Sequence, residues 1–211
     1  MHGWANTKDS MTWPMRRLSL VTLSHAFEEA FAGTEGAADG GRVLLGLFQR
    51  ADRFEVEARR YARLARRATV VVAHAGSSAP VPGVHAVSLD ATDPLTREWT
   101  LVGFGPGCGA ALVATERKDS FDGGPGRVFE ARWTFRQAAA AMEAERVLAG
   151  LRTHLPTEVA DDVQRSVDER LDRPESEAER AQARIMELLL AHVDDLHRRA
   201  DSVDATQAVG P

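Results

Sequence analysis

The sequence predicts an α/β protein: a mixed sheet with a parallel βαβ unit and antiparallel hairpins, flanked by helices and followed by a C-terminal helical extension. Three observations predict it. Two short, nearly continuous apolar runs, Arg42–Gln49 and Thr69–His74, bracket a segment of helical periodicity, the pattern of two doubly buried strands joined by a crossover helix. Two further apolar runs are separated by Gly105-Pro106-Gly107, a composition suited to a tight turn between antiparallel strands. Beyond Leu151, apolar residues recur at the spacing of amphipathic helices.

Taken in order, residues 1–18 lack periodicity and are expected to be a flexible segment, with Trp4 and Trp13 available to pin it. From Ser19, the positions Leu20, Leu23, Phe27 and Phe31 mark a helix that stops in the Gly/Ala-rich segment Gly33–Gly41. After the first strand, Asp52 stands three residues before Glu55 in a capping-box arrangement. The helix it opens carries acids early (Glu55, Glu57) and arginines late (Arg63, Arg66, Arg67), the order the macrodipole favours. The loop Ala75–Gly83 leads to a short strand at Val84–Leu89, and Asp93-Pro94 marks a turn.

Strands are expected at Glu98–Phe104, Cys108–Arg117 and, past the turn-forming Asp122–Gly126, at Arg127–Trp133. Thr134 with Gln137 reads as a second capping box, with Trp133 stapled against Ala138, opening a helix to Leu151. The stripes Leu155, Val159, Val163, Val167, Leu171 and Ala181, Ile185, Leu188, Leu189, His192, Leu196 predict a helical hairpin broken at Arg173-Pro174. The chain thus divides into a flexible segment (1–18), an α/β domain (19–151), a helical extension (152–201) and a disordered tail (202–211).

Composition narrows the function classes. With 44% hydrophobic and 27% charged residues over 211 positions the chain is globular. Its 26 Lys and Arg against 31 acids give no general attraction for phosphate, so no direct nucleic-acid partner is expected. The one dense basic run, Arg59, Arg60, Arg63, Arg66 and Arg67, reads as a solvated helix face. Cys108 is the sole cysteine, which excludes an internal disulfide framework and a cysteine-cluster metal site and points to a cytoplasmic setting. No stretch approaches the about 20 apolar residues that span a bilayer, so no membrane partner is expected.

Catalytic patterns find no support. The glycines of Gly103–Gly109 precede an apolar strand, whereas a dinucleotide loop precedes a helix. Ser24 and His25 are helix neighbours that do not face each other, Glu28 and Glu29 have no identifiable partner, and the histidines show no ligand spacing. An enzyme using Glu116 or His74 is the least favoured reading, and nothing names a cofactor. The expected ligand residues lie at strand ends: Gln49, Arg50 and His74 by chain order, with Phe54, Trp99, Glu116, Arg117 and Trp133. The competing expectation is that Trp99 and Trp133 only pack and that Arg117 pairs with a nearby acid.

The segments Thr22–Glu29, Leu44–Gln49 with Arg53-Phe54 and Tyr61, Asp93-Pro94-Leu95 with Glu98-Trp99, and Phe129–Phe135 together resemble the DICT sensory domain family over roughly Ser19–Leu151. The resemblance implies a non-enzymatic sensory or regulatory module of bacterial signal transduction. It supplies no known ligand-contacting residues. The segment before it is too short for a helix-turn-helix, and no kinase or cyclase segment is expected after it. A small-molecule ligand, and a homodimer or signalling partner held through the C-terminal helices, are the expected partners. The alternative is an interaction adaptor that binds no small molecule. Ligand binding would act by shifting the Thr134–Leu151 helix and so resetting the tail, provided that the ligand binds the two states with different affinity.

Overall fold

In a computed structural model, which describes residues 12–32, 41–105, 108–117 and 128–190, the apolar runs form one seven-stranded sheet. The expectations placed on most of the N-terminal segment, the 33–40 loop, the 106–107 and 118–127 turns and the chain beyond residue 190 lie outside the described residues. The strands are β1 (Trp13–Arg16), β2 (Val43–Arg50), β3 (Thr69–Ala75), β4 (Val84–Leu89), β5 (Glu98–Gly105), β6 (Cys108–Glu116) and β7 (Val128–Thr134), in the spatial order β1-β7-β6-β5-β2-β3-β4. β2, β3 and β4 are parallel, and every other pairing is antiparallel.

The βαβ unit read from the sequence places β2 and β3 side by side, between β5 and β4. Val70-Val71-Val72 supplies β-branched side chains to both faces, and β3 aligns Val71 with Leu45 of β2. The return from β3 to β4 takes only residues 76–83, which contain no helix. It turns at Gly76 and Gly83, whose φ values of 82° and 75° favour glycine. The Asp93-Pro94 turn becomes a 3₁₀ turn at Pro94–Arg97, capped by the Asp93 side chain, which accepts from the Leu95 amide at 2.9 Å.

Helices cover both faces. α1 (Arg17–Ala32) and α2 (Ala51–Leu64) bury Leu20, Phe27, Phe31, Phe54, Tyr61 and Leu64 against one face. α3 (Gln137–Leu151) and α4 (Thr157–Leu171) cover the other with Ala140, Ala144, Val147, Leu148, Val159, Val163 and Val167. α4, the first helix of the predicted extension, therefore belongs to the core of the body. A break at 172–176, which includes Arg173-Pro174, precedes α5 (177–190).

Several local expectations are corrected. Trp13–Arg16 is a strand, paired residue for residue with Ala131–Val128, because edge pairing satisfies its backbone and Trp13 stacks on Trp133 at 6.1 Å. Neither predicted capping box forms. α2 starts at Ala51, which puts Asp52 inside the first turn, where it takes the Arg50 guanidinium at 2.9–3.0 Å. α3 starts at Gln137, and its Ala138 amide donates instead to Glu175 of the tail at 3.1 Å.

α5 meets the body through polar groups. Glu175 also takes Arg136 at 3.0 Å, Gln137 donates to Glu179 at 3.2 Å, and Thr134 donates to Glu187 at 3.1 Å. Ala183 is buried and Leu190 packs under the α1 side, while Ile185, Leu188 and Leu189 are each more than half exposed. The apolar stripe of the tail thus faces outward.

Candidate ligand-binding site

On α1, Leu20, Ser24 and Glu28 follow one another at four-residue spacing, so Glu28 lands on the apolar face between Phe27 and Phe31. It is only 2% exposed. Two residues of α2 meet it there. The Tyr61 hydroxyl donates to one carboxylate oxygen at 2.7 Å and Arg60 Nε donates to the other, while Arg60 also donates to the His25 carbonyl at 2.7 Å. Tyr61 reaches this position by lying against β2 at Gly46, where a Cβ would sit 3.1 Å from the hydroxyl. Burial raises the Glu28 carboxyl above its usual range, against the opposing hydrogen bond from Tyr61 and charge of Arg60, and burial beside Glu28 raises the Tyr61 phenol well above its own.

Beside this triad lies a cavity of about 100 Å³, between α1, α2 and the sheet at the carboxyl end of β2. Ser24, Glu28, Leu47, Tyr61, Thr100, Leu101 and Phe129 are the buried parts of its wall; Phe48 and Trp99 are half-buried. Ser24 Oγ accepts from the Trp99 indole at 3.0 Å, which ties α1 to β5. The outer wall holds Arg17, Val21, His25, Gln49, Arg53, Val56 and Glu57, with His25 Nε2 3.2 Å from Glu57. Aromatic walls with a few placed polar groups suit recognition of a small molecule. Among the described residues no group of three or more His, Cys, Asp or Glu side chains could hold a metal ion.

A second cavity, of about 240 Å³, lies between α1 (Phe27, Ala30, Phe31), the start of β6 (Cys108, Gly109, Ala110), the entry to α3 (Phe135, Arg136, Gln137) and the tail (Glu175, Glu179, Gln182, Ala183, Met186). The two cavities share α1 as a wall.

On the opposite face, Glu143 of α3 is fully buried and receives two hydrogen bonds from Arg146, at 2.6 and 2.9 Å, on one oxygen, while its other oxygen has no hydrogen-bond partner. Arg146 also binds Glu98 of β5 at 2.5 Å. Burial raises the Glu143 carboxyl against these partners and lowers Arg132 of β7 nearby.

Of the residues expected at the site, Gln49 and Trp99 line the first cavity. Phe54 is buried behind it, in edge contact with Tyr61 and stacked on His74 at 5.6 Å. His74 is buried in turn, its ring nitrogens bonded to Gly76 O and Ser78 Oγ. Arg50 is exposed on Asp52, and Arg117 lies 3.5 Å from Glu130. Glu116 ends β6 opposite Phe129, at the same sheet end as the cavity, whereas Trp133 is packed on Trp13.

Sequence reading missed Glu28, Arg60 and Tyr61 as a unit. The expectation that Glu28 lacks a partner is corrected by its two hydrogen bonds, and Arg60 turns inward from the arginine run because Glu28 offers a buried counter-charge. The available signal was a lone acid within a helical apolar stripe.

One family's sequence model, described as a sensory domain in diguanylate cyclases and two-component systems (DICT), matches residues 6–117, just over half of the 211. No curated protein and no solved structure matches the chain. No helix among the described residues is long and apolar enough to cross a membrane.

Proposed function

The chain belongs to the DICT family of sensory domains, and from that premise we propose a non-enzymatic signalling module whose ligand occupies the α1–α2 cavity and whose C-terminal helices carry the response. The supporting observation is the position of α1. Its Ser24 and Glu28 wall the first cavity, and its Phe27, Ala30 and Phe31 wall the second, whose far side is α5. A ligand that binds better to one position of α1 shifts the population of tail positions by that difference in affinity. Through β5, the Glu98–Arg146 pair gives the cavity a second link, to α3.

The outward stripe Ile185, Leu188 and Leu189 gives the tail a place to meet a second copy or a signalling partner, since a contiguous apolar surface is costly to leave in water. Native mass spectrometry of protein from its own host tests the ligand. The expected result is a co-purifying small molecule that a cavity-filling Val21→Trp variant lacks. Only ligand-free dimers or hetero-complexes from the unaltered protein would replace sensing with the adaptor reading. Light scattering of Leu189→Asp tests the tail. Conversion of a dimer to a monomer is expected, and an unchanged assembly removes the stripe from the interface.

A further inference from the structure

We infer that the ligand of the α1–α2 cavity is an uncharged, compact apolar molecule with one hydrogen-bond acceptor, a carbonyl or ether oxygen held by the hydroxyl of Ser24. This rests on the reading that the cavity is the sensory site.

The first observation is that the charged groups of the wall are engaged or lie outside. Both oxygens of Glu28 accept hydrogen bonds, from Tyr61 and Arg60, and Glu57 faces His25. Arg53 has an interaction of its own, and Arg17 is exposed to solvent. A charged ligand in the interior would lose its hydration without gaining a counter-charge, which is the costliest form of burial.

The second observation is one hydroxyl. Ser24 is 5% exposed, lines the cavity and accepts from the Trp99 indole at 3.0 Å. A serine hydroxyl is also a donor, and among the described residues no group accepts its proton. The other buried hydroxyls of the wall do have acceptors: Tyr61 donates to Glu28 at 2.7 Å and Thr100 to Glu98 at 3.2 Å. A buried donor without an acceptor is destabilising, so an acceptor on the ligand gains a hydrogen bond here. The third observation is size and surface. Phe48, Trp99, Leu101 and Phe129 give the inner wall apolar surface, and about 100 Å³ is below the roughly 150 Å³ of a cavity that accepts benzene, so a body of about five carbons fits.

Ligand-observed NMR titration of the full chain at neutral pH with cyclopentanone, methylenecyclopentane, cyclopentylamine and cyclopentanecarboxylate tests the class. The ketone and the alkene share a shape and differ in the oxygen alone. Cyclopentanone should bind about fivefold tighter than methylenecyclopentane, the strength of one neutral hydrogen bond, and both should bind tighter than the two ions. Its binding should also move the indole N–H resonance of Trp99, whose acceptor is the same Ser24 oxygen. Ser24→Ala should bring ketone and alkene to equal affinity without abolishing either, while Trp99→Phe, which retains the hydroxyl, should retain the preference. Equal affinities in the unaltered chain, tighter binding of either ion, a preference that survives Ser24→Ala, or no binding of the ketone each overturns the assignment. The comparison in the unaltered chain decides the matter even where a variant does not fold. The sensory reading fails separately, when no small molecule co-purifies with the unaltered chain; a co-purifying ion would sink the class and leave that reading standing.

Discussion

Among the described residues each face of the sheet buries one glutamate, and the two are held differently. Glu28, under α1, has both oxygens satisfied by residues of a neighbouring helix and lies beside a cavity. Glu143, under α3, has a single satisfied oxygen and shares its arginine with Glu98. The first arrangement joins two helices beside an open space. The second locks a helix to a strand within closed packing. The difference teaches where the fold leaves room: the α1–α2 side is built around an opening, and the α3–α4 side around an ionic cluster.

The sharpest way to break this comparison is to remove the arginines. Arg146→Met leaves Glu98 and Glu143 without their shared cation and should cost about 3–5 kcal/mol in urea unfolding, as breaking a buried pair does. Arg60→Met should cost less, about 1–3 kcal/mol, because Tyr61 still donates to Glu28. Equal losses would erase the distinction.

Next in size, Tyr61→Phe should cost about 1–2 kcal/mol, read from the same denaturation curves, since it strips a hydrogen bond from a buried carboxylate. Glu175→Ala should cost about 1 kcal/mol, the usual worth of a helix cap. It should also speed amide exchange at Ala138 while leaving Tyr61 and α2 unaffected; faster exchange in α2 would mean that the tail and the cavity helices are one unit.

The smallest effect is on pH dependence. Both carboxyls are raised above the ordinary 4.5 by burial, so the folded state holds their protons more firmly than the unfolded chain does. Their contribution is complete below about pH 4.5 and is lost as pH rises through the folded values. Glu28→Gln and Glu143→Gln should each flatten the fall in thermal midpoint above pH 4.5. A steeper fall in either variant would reverse the sign assigned to that glutamate.

Much of the fold was legible because strands buried on both faces leave unbroken apolar runs: β2, β3, β5 and β6 all lie within a residue or two of their predicted limits. β1 was not, since four residues carry no period and depend on a partner more than 100 positions away. Capping was misread for a related reason. Ser176 and Glu179 form a reciprocal box at α5, at 2.8 and 3.2 Å, because Ser176 stands outside the helix, whereas Asp52 and Thr134 had the spacing without the position. At the site, Gln49 and Trp99 followed from strand ends. Glu28 and Arg60 did not, because an acid in an apolar stripe and an arginine in a basic run reveal their pairing only once two helices are laid side by side.

β1 passes into α1 with no residue between them, Arg16 to Arg17. The outermost strand and the helix that walls the cavity are therefore one continuous lever. The four pairs that hold β1 to β7 thus also set where α1 begins, so the edge of the sheet serves as the anchorage of the cavity wall.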